Sequence, residues 1–209
     1  QHRIKNVFAL ADSMIRLSAH EARTPEELAR SVQSRLHALA NAHALTVLQP
    51  TTDGESTLSA PDLHALLATL VGPSLGRQPN RLDITGDNPR LLPAAITPLA
   101  LVLNELATNA TKYGALGEPA GHLSIRCNRH GDRFSLHWIE HSSGLRGPQQ
   151  AASGGFGARL LDMTVRMQLD GSIRYEWEPD TLRIILELNP LRFEEVGGAC
   201  CDQGSGNAD

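Results

Sequence analysis

Beyond Gly121 the apolar residues change their spacing, and that change restricts the fold more than any other feature of the chain. Leu123, Ile125 and Cys127 alternate with polar neighbours, His130, Gly131 and Asp132 turn the chain, and Phe134, Leu136 and Trp138 alternate again. Period two marks a strand with one buried face, so this stretch predicts a β-hairpin. A second hairpin is expected over 172–177 and 182–188, around Glu178, Pro179, Asp180 and Thr181. Between them, residues 141–157 are small, glycine-rich and aperiodic, which reads as a loop, and a helix is expected over 158–169.

Before Gly121 the spacing is helical. Ile4, Val7, Phe8, Ala11, Met14, Ile15 and Leu17 form one stripe over residues 1–20. Thr24, Pro25 and Glu27 have the pattern of an N-cap, a first-turn proline and a capping-box partner, which starts a second helix running to about His43. The short connection makes the two helices antiparallel. Such a hairpin buries little by itself, so it either dimerises into a four-helix bundle or docks on the rest of the chain. Residues 50–60 have loop composition and mark the best boundary. A short helix is expected from Pro61 to Leu70, ended by Gly72 and Pro73. Short strands are expected over 81–85 and 90–92 around Gly86, Asp87, Asn88 and Pro89. From Phe193 onward the composition is that of a frayed tail. The expected class is α+β: a helical hairpin over 1–48, a sandwich over 49–192 with helices on one face of a mostly antiparallel sheet, and a disordered tail over 193–209.

Composition excludes several alternatives. Aromatic residues make up 4% of the 209-residue chain, so the core must be built from Leu, Ala, Ile and Val. A net charge of −4 gives no electrostatic reason to expect nucleic-acid binding. Cys127, Cys200 and Cys201 form neither a disulfide framework nor a zinc spacing, and the eight histidines other than His2 show no ligand spacing. The longest apolar run, 91–103, contains Pro93 and Pro98 and is too short to span a bilayer.

Residues 99–114, LALVLNELATNATKYG, carry the chemistry. On a helical wheel Leu99, Val102, Leu103, Leu106, Ala110 and Tyr113 share one side, while Glu105, Asn109 and Lys112 gather on an adjoining stripe. Asn109 offers a hard amide oxygen suited to Mg²⁺, which takes few protein ligands beside phosphate oxygens. Glu105, one turn earlier, can orient a metal-bound water or take a proton, and Lys112 can meet phosphate charge. Downstream, Gly154, Gly155 and Gly157 allow backbone N–H groups to approach a polyphosphate, and the helix that follows presents its N-terminus to anions. A glycine-rich loop alone is an ordinary connection. Together with the helix face it points to a nucleotide site.

The run 104–114, NELATNATKYG, resembles the N box of sensor histidine kinases. Trp138, Ile139 and Glu140 resemble the WxE element of the HWE subgroup. The opening HRIKN, residues 2–6, looks like that subgroup's phosphoacceptor box, and GFGARL, residues 155–160, like its glycine box. These blocks span nearly the whole chain in family order. Asn104 stands where the HWE subgroup has a histidine and is shared with HisKA_2-type kinases. Ser142 and Ser143 stand where glycines usually follow WxE, so either Gly144 takes that role or the nucleotide binds more weakly.

The resemblance implies a GHKL-type ATP-binding fold behind a dimerisation and phosphoacceptor hairpin. It implies that His2 accepts the γ-phosphoryl group of ATP, that Asn109 binds Mg²⁺, and that Glu105 is the family's catalytic acidic residue. Lys112, Tyr113, Gly144, Gly155 and Gly157 would line or hinge the nucleotide site, and Glu140 would meet the adenine amino group. A cytoplasmic homodimer passing the phosphoryl group to the receiver domain of a response regulator is the implied setting, without nucleic-acid or membrane contact in this segment. At an unperturbed pKa of about 6.5, a solvent-facing His2 is mostly neutral near neutral pH, as an acceptor must be. Two rivals are a degenerate kinase that only holds a response regulator, and a serine kinase or ATPase of the same fold.

Overall fold

The computed structural model describes residues 15, 18, 19, 22, 24–45, 48–50, 56–58, 61–76, 78–145 and 156–195. Of the first expected helix, Ile15, Ser18 and Ala19 are described and helical; the rest lies outside the described residues, as do residues 146–155 of the loop expected over 141–157, whose first residue ends a strand and whose last two begin a helix instead.

Helix α1 (Pro25–Ala44) begins as its sequence predicts. The Glu27 N–H donates to Thr24 Oγ1 at 3.2 Å, and Glu26 and Glu27 occupy the first turn, where the helix dipole favours them. Its inner face carries Arg35, Ala38 and Ala42, one charged and two small residues that let it approach a neighbour closely. The loop expected over 50–60 is instead part of a small ribbon: β1 (Leu48–Pro50) pairs antiparallel with β2 (Ser56–Leu58). The ladder is made with Leu48–Pro50, most of which lies before that segment, so the composition of 50–60 could not show it.

Helix α2 (Leu63–Val71) is capped by Asp62, whose carboxylate accepts from the Ala65 N–H at 2.8 Å. Strand β3 (Leu82–Gly86) follows. The strand expected over 90–92 is reduced to two isolated bridges, Asp62 to Arg90 and Leu91 to Glu194. Pro89 and Pro93 bracket these residues and remove the donors a longer ladder needs.

The long helix α3 (Pro93–Lys112) starts six residues before the segment singled out in the sequence and contains Pro98. That proline withdraws the donor for the Ala94 carbonyl, and Ala94 is exposed, so the lost bond falls at the surface. Helix α3 is covered by α1 and α2 on one side and by the sheet on the other. Ala100, Leu101 and Ala107 are therefore as buried as the predicted stripe, whereas Tyr113, placed on that stripe by the wheel, is 63% exposed.

Strands β4 (His122–His130) and β5 (Arg133–His141) form the first predicted hairpin, helix α4 (Phe156–Gln168) follows, and β6 (Ser172–Glu178) with β7 (Thr181–Leu188) form the second. The sheet order is β3-β4-β5-β7-β6, with only β3 and β4 parallel. Phe134, Leu136, Trp138 and Glu140 point from β5 into the layer between sheet and helices, and all four are buried.

The short helix α5 (Pro190–Phe193) corrects the tail boundary. Phe193 is fully buried and meets Phe134 edge-on, with ring centroids 5.1 Å apart. Its carbonyl accepts from the Leu92 N–H at 2.7 Å, and the Glu195 N–H reaches the Arg90 carbonyl at 2.8 Å. A large aromatic side chain offered to an aromatic-poor core outweighs the loop-like composition around it.

Candidate nucleotide site

One end of the sheet gathers most of the residues that the sequence singled out. Helix α3 arrives there with Asn109, Lys112 and Tyr113 on its last turns, and the backbone then passes through a 3-10 turn, Ala115–Gly117. Glu140 stands at the same end of β5. Helix α4 finishes at the opposite end, where the Asn189 N–H bonds to the Leu169 carbonyl. Its 13 residues, at about 1.5 Å of rise each, therefore place its start, with Gly157, toward the Glu140 end.

The polar stripe is divided by what covers it. Asn109 is half-buried and its side-chain amide bonds to no described residue, while Lys112 and Tyr113 are exposed. Those groups fit a hydrated Mg²⁺ and a polyphosphate, because a hard oxygen and a cation stand at one rim without a partner among the described residues. Glu105 faces the other way. It is 6% exposed, and Arg35 Nε from α1 lies 2.6 Å from its Oε1. Arg35 also donates through Nη1 to Ser18 Oγ, and Ser31 Oγ lies 3.4 Å from the same hydroxyl. A buried polar cluster thus ties the hairpin to the N-box helix, and the expected proton-handling group is engaged by a guanidinium.

Glu140 is 1% exposed, and both of its oxygens have protein donors. Oε2 accepts from the Ala115 N–H at 2.8 Å and Oε1 from the Trp138 indole N–H at 2.9 Å. Burial raises its pKa above the ordinary carboxylate value, against the opposing pull of the Ala115 and Trp138 donors. The W and E of the motif are thus bonded to each other, two residues apart on one face of β5. Gly114 is required beside them, since a Cβ there would lie 1.9 Å from Glu140 Oε2. Instead of projecting into open space, Glu140 fixes the turn that leaves α3.

Gly144 follows in an ordered turn. Its N–H donates to Ser142 Oγ at 3.2 Å, and the Ser142 N–H is held by the Asp180 carbonyl at 3.0 Å. Ser142 therefore organises the segment by a side-chain turn. A Cβ on Gly144 would sit 3.1 Å from the Glu118 carboxyl group. His2 and Gly155 lie outside the described residues. A separate cleft lined by Arg129, Gly131, Asp132, Asn189, Pro190 and Leu191 lies at the opposite end of the sheet.

Sequence reasoning passed over two residues. Arg35 carried a signal, a charge sharing a helical stripe with Ala38 and Ala42. Arg81, which binds three carbonyls around the 3-10 turn, carried none.

A helical segment docked on the central helix of such a sandwich is the architecture of histidine kinase catalytic regions. The histidine kinase domain of the Erythrobacter litoralis EL346 blue-light activated histidine kinase superposes with a TM-score of 0.57 at 13% identity, covering 86% of this chain and 95% of that one. The longer structure of that kinase gives 0.63 at 16% identity, over 90% of this chain and 57% of the other. The description "HWE histidine kinase" matches residues 1–88. A blue-light-activated histidine kinase of Rhizobium johnstonii is 35% identical over 90% of this chain and 51% of its own length. Blue-light-activated histidine kinase 1 of Erythrobacter litoralis is 32% identical over 85% of this chain and 48% of its own. The chain is thus similar to HWE histidine kinases over its first 88 residues and to blue-light-activated histidine kinases over most of its length, and it spans about half the length of these relatives.

Proposed function

We propose that this chain is the catalytic core of a two-component histidine kinase, which phosphorylates His2 from ATP and passes the phosphoryl group to an aspartate of a response regulator. Residues 1–48 serve as the phosphoacceptor and dimerisation hairpin of a cytoplasmic homodimer, and 49–192 as the ATP-binding domain. The observation that carries this reading is the Asn109 amide, unbonded among the described residues, at the rim where Lys112, Tyr113, the Glu140-anchored turn and the start of α4 converge.

In the transfer, a neutral imidazole nitrogen of His2 bonds to the γ-phosphorus as the bond to the bridging oxygen breaks, and ADP leaves with that oxygen. Phosphoryl transfer depends on positioning and charge stabilisation. Mg²⁺, when bound through Asn109, supplies neutralisation of phosphate charge. Lys112 adds a cation at the same rim, Tyr113 lines it, and the backbone at Gly155 and Gly157 closes on the phosphates. The ring proton lost as the phosphohistidine forms passes to water, because Glu105, the candidate acceptor, is held by Arg35 in the contact with α1. Glu140 contributes by holding Ala115, and with Gly144 it frames the side where the base sits.

The test is incubation of the purified chain with γ-labelled ATP and Mg²⁺. Acid-labile, alkali-stable label that disappears in His2→Ala and in Asn109→Ala is expected. Acid-stable label would instead indicate a serine kinase, and regulator binding with no label a module without activity.

A further inference from the structure

Arg81 sits at the end of a 3-10 turn, Pro79–Arg81, just before β3, and no motif includes it. Its guanidinium gathers three backbone carbonyls from a segment 34 to 40 residues away. Nε donates to Gly121 O at 2.7 Å, and Nη2 donates to Ala115 O at 2.7 Å and to Glu118 O at 2.5 Å. Nη1 reaches Gln78 Oε1 at 3.5 Å. Among the described residues no carboxylate pairs with it, so its charge is met by carbonyl dipoles. A planar fork of donors can serve three divergent acceptors; an ammonium on a flexible stem cannot hold them in one plane.

The segment so held is the connection between the two sides of the nucleotide site. At its start, Tyr113 and Gly114 leave α3. Ala115 is gripped from both sides, its N–H by Glu140 and its C=O by Arg81. At Gly121 a Cβ would lie 1.8 Å from the Ala115 oxygen, so the loop closes tightly on itself. Along the way, the Glu118 side chain lies against Gly144.

We infer that Arg81 is a positioning residue for the nucleotide: through Ala115 and Glu118 it sets the distance between the rim of α3, with Lys112 and Tyr113, and the turn at Gly144. This rests on the kinase reading given above. Loss of the fork lets the segment drift, which weakens binding of the nucleotide more than it slows transfer once the nucleotide is bound.

The experiment compares wild type, Arg81→Gln and Arg129→Gln, in ATP binding by titration calorimetry with Mg²⁺ and in His2 labelling at varied ATP. Arg129 pairs with Glu194 at the far end of the sheet and serves as the structural control. The expected result is a KM and a Kd for ATP raised about tenfold in Arg81→Gln, with kcat within about twofold, the loss of one charge-assisted contact set. Arg129→Gln is expected to lower the melting temperature and leave KM unchanged. If Arg81→Gln does not fold, Arg81→Lys carries the same test, and its KM is expected to rise because one ammonium cannot replace the fork. Unchanged KM in a folded Arg81 variant overturns the inference while the kinase reading stands. Equal rises in both variants also overturn it, since any loosening would then suffice. Wild type that binds no ATP overturns both.

Discussion

Arg35 Nε lies 2.6 Å from Glu105 Oε1, and the two side chains are 3% and 9% exposed. They belong to different helices, α1 of the hairpin and α3 of the sandwich, so this ion pair is the polar centre of the contact between them. An ion pair withdrawn from water contributes little net stability compared with a well-packed apolar pair, but removing one member leaves the other charge buried and unpaired. Arg35→Met and Glu105→Leu are each expected to destabilise the fold by about 3–5 kcal/mol, and the double variant to recover most of that loss. Urea denaturation of the four proteins checks this. Additive losses would mean that the two groups act independently.

Glu140 gives the fold a distinctive pH dependence. Its carboxyl holds a proton more tightly in the folded chain than in the unfolded one, because burial outweighs the donors from Ala115 and Trp138. In the window above the ordinary value of 4.5, the folded state therefore binds more protons, and this group's contribution to stability falls as pH rises through the window. Glu140→Gln has no such titration. The stability difference, wild type minus Glu140→Gln, is expected to fall as pH is raised from 4.5 and then level off once the carboxyl is ionised in both states. A difference that instead grows with pH would show that the two N–H donors outweigh burial.

The close approaches around the 3-10 turn predict which glycines are fixed. A Cβ at position 121 would overlap the Ala115 carbonyl, which is itself held by Arg81, so nothing at that point can yield cheaply. Gly121→Ala is expected to cost about 3 kcal/mol. Gly131 has a positive φ of 59° in the β4–β5 turn, but open space around it. There Gly131→Ala costs only the left-handed backbone penalty of about 1–2 kcal/mol, and Gly131→Asn less. Thermal melts of the three variants rank them, and an unaffected Gly121→Ala would rule out the clamped turn.

Much of this arrangement was legible in the chain. The alternation of Phe134, Leu136 and Trp138 located the inner face of β5 and, two residues on, placed Glu140 on the same side. Thr24 located the start of α1. What the wheel could not supply was the layer covering each face of α3. Glu105, Asn109 and Lys112 are angular neighbours, yet Glu105 turns into the hairpin contact while Asn109 and Lys112 reach the rim, because α1 covers only the earlier turns. The Arg81 clamp was illegible for a different reason: its acceptors are main-chain carbonyls, which leave no mark in a sequence. Phe193 was misjudged since its neighbours have tail composition, and only the space beside Phe134 shows where it goes.

That misjudgement yields the sharpest test of where the fold ends. Phe193 closes the core against Phe134 and, through its carbonyl, pins the entry to α3 at Leu92. Replacing a fully buried phenylalanine by alanine removes its transfer energy and leaves a cavity, about 3–5 kcal/mol in sum. Phe193→Ala is accordingly expected to shift the urea midpoint strongly at unchanged slope. A chain ending after residue 192 should do worse, because it also loses the bridge from Glu194 to Leu91 and the bond from Glu195 to Arg90. A chain ending after residue 195 keeps all of these contacts and is expected to retain them in stability. If ending at 192 and at 195 gave equal midpoints, the packing of Phe193 would contribute nothing and the sandwich would close without it.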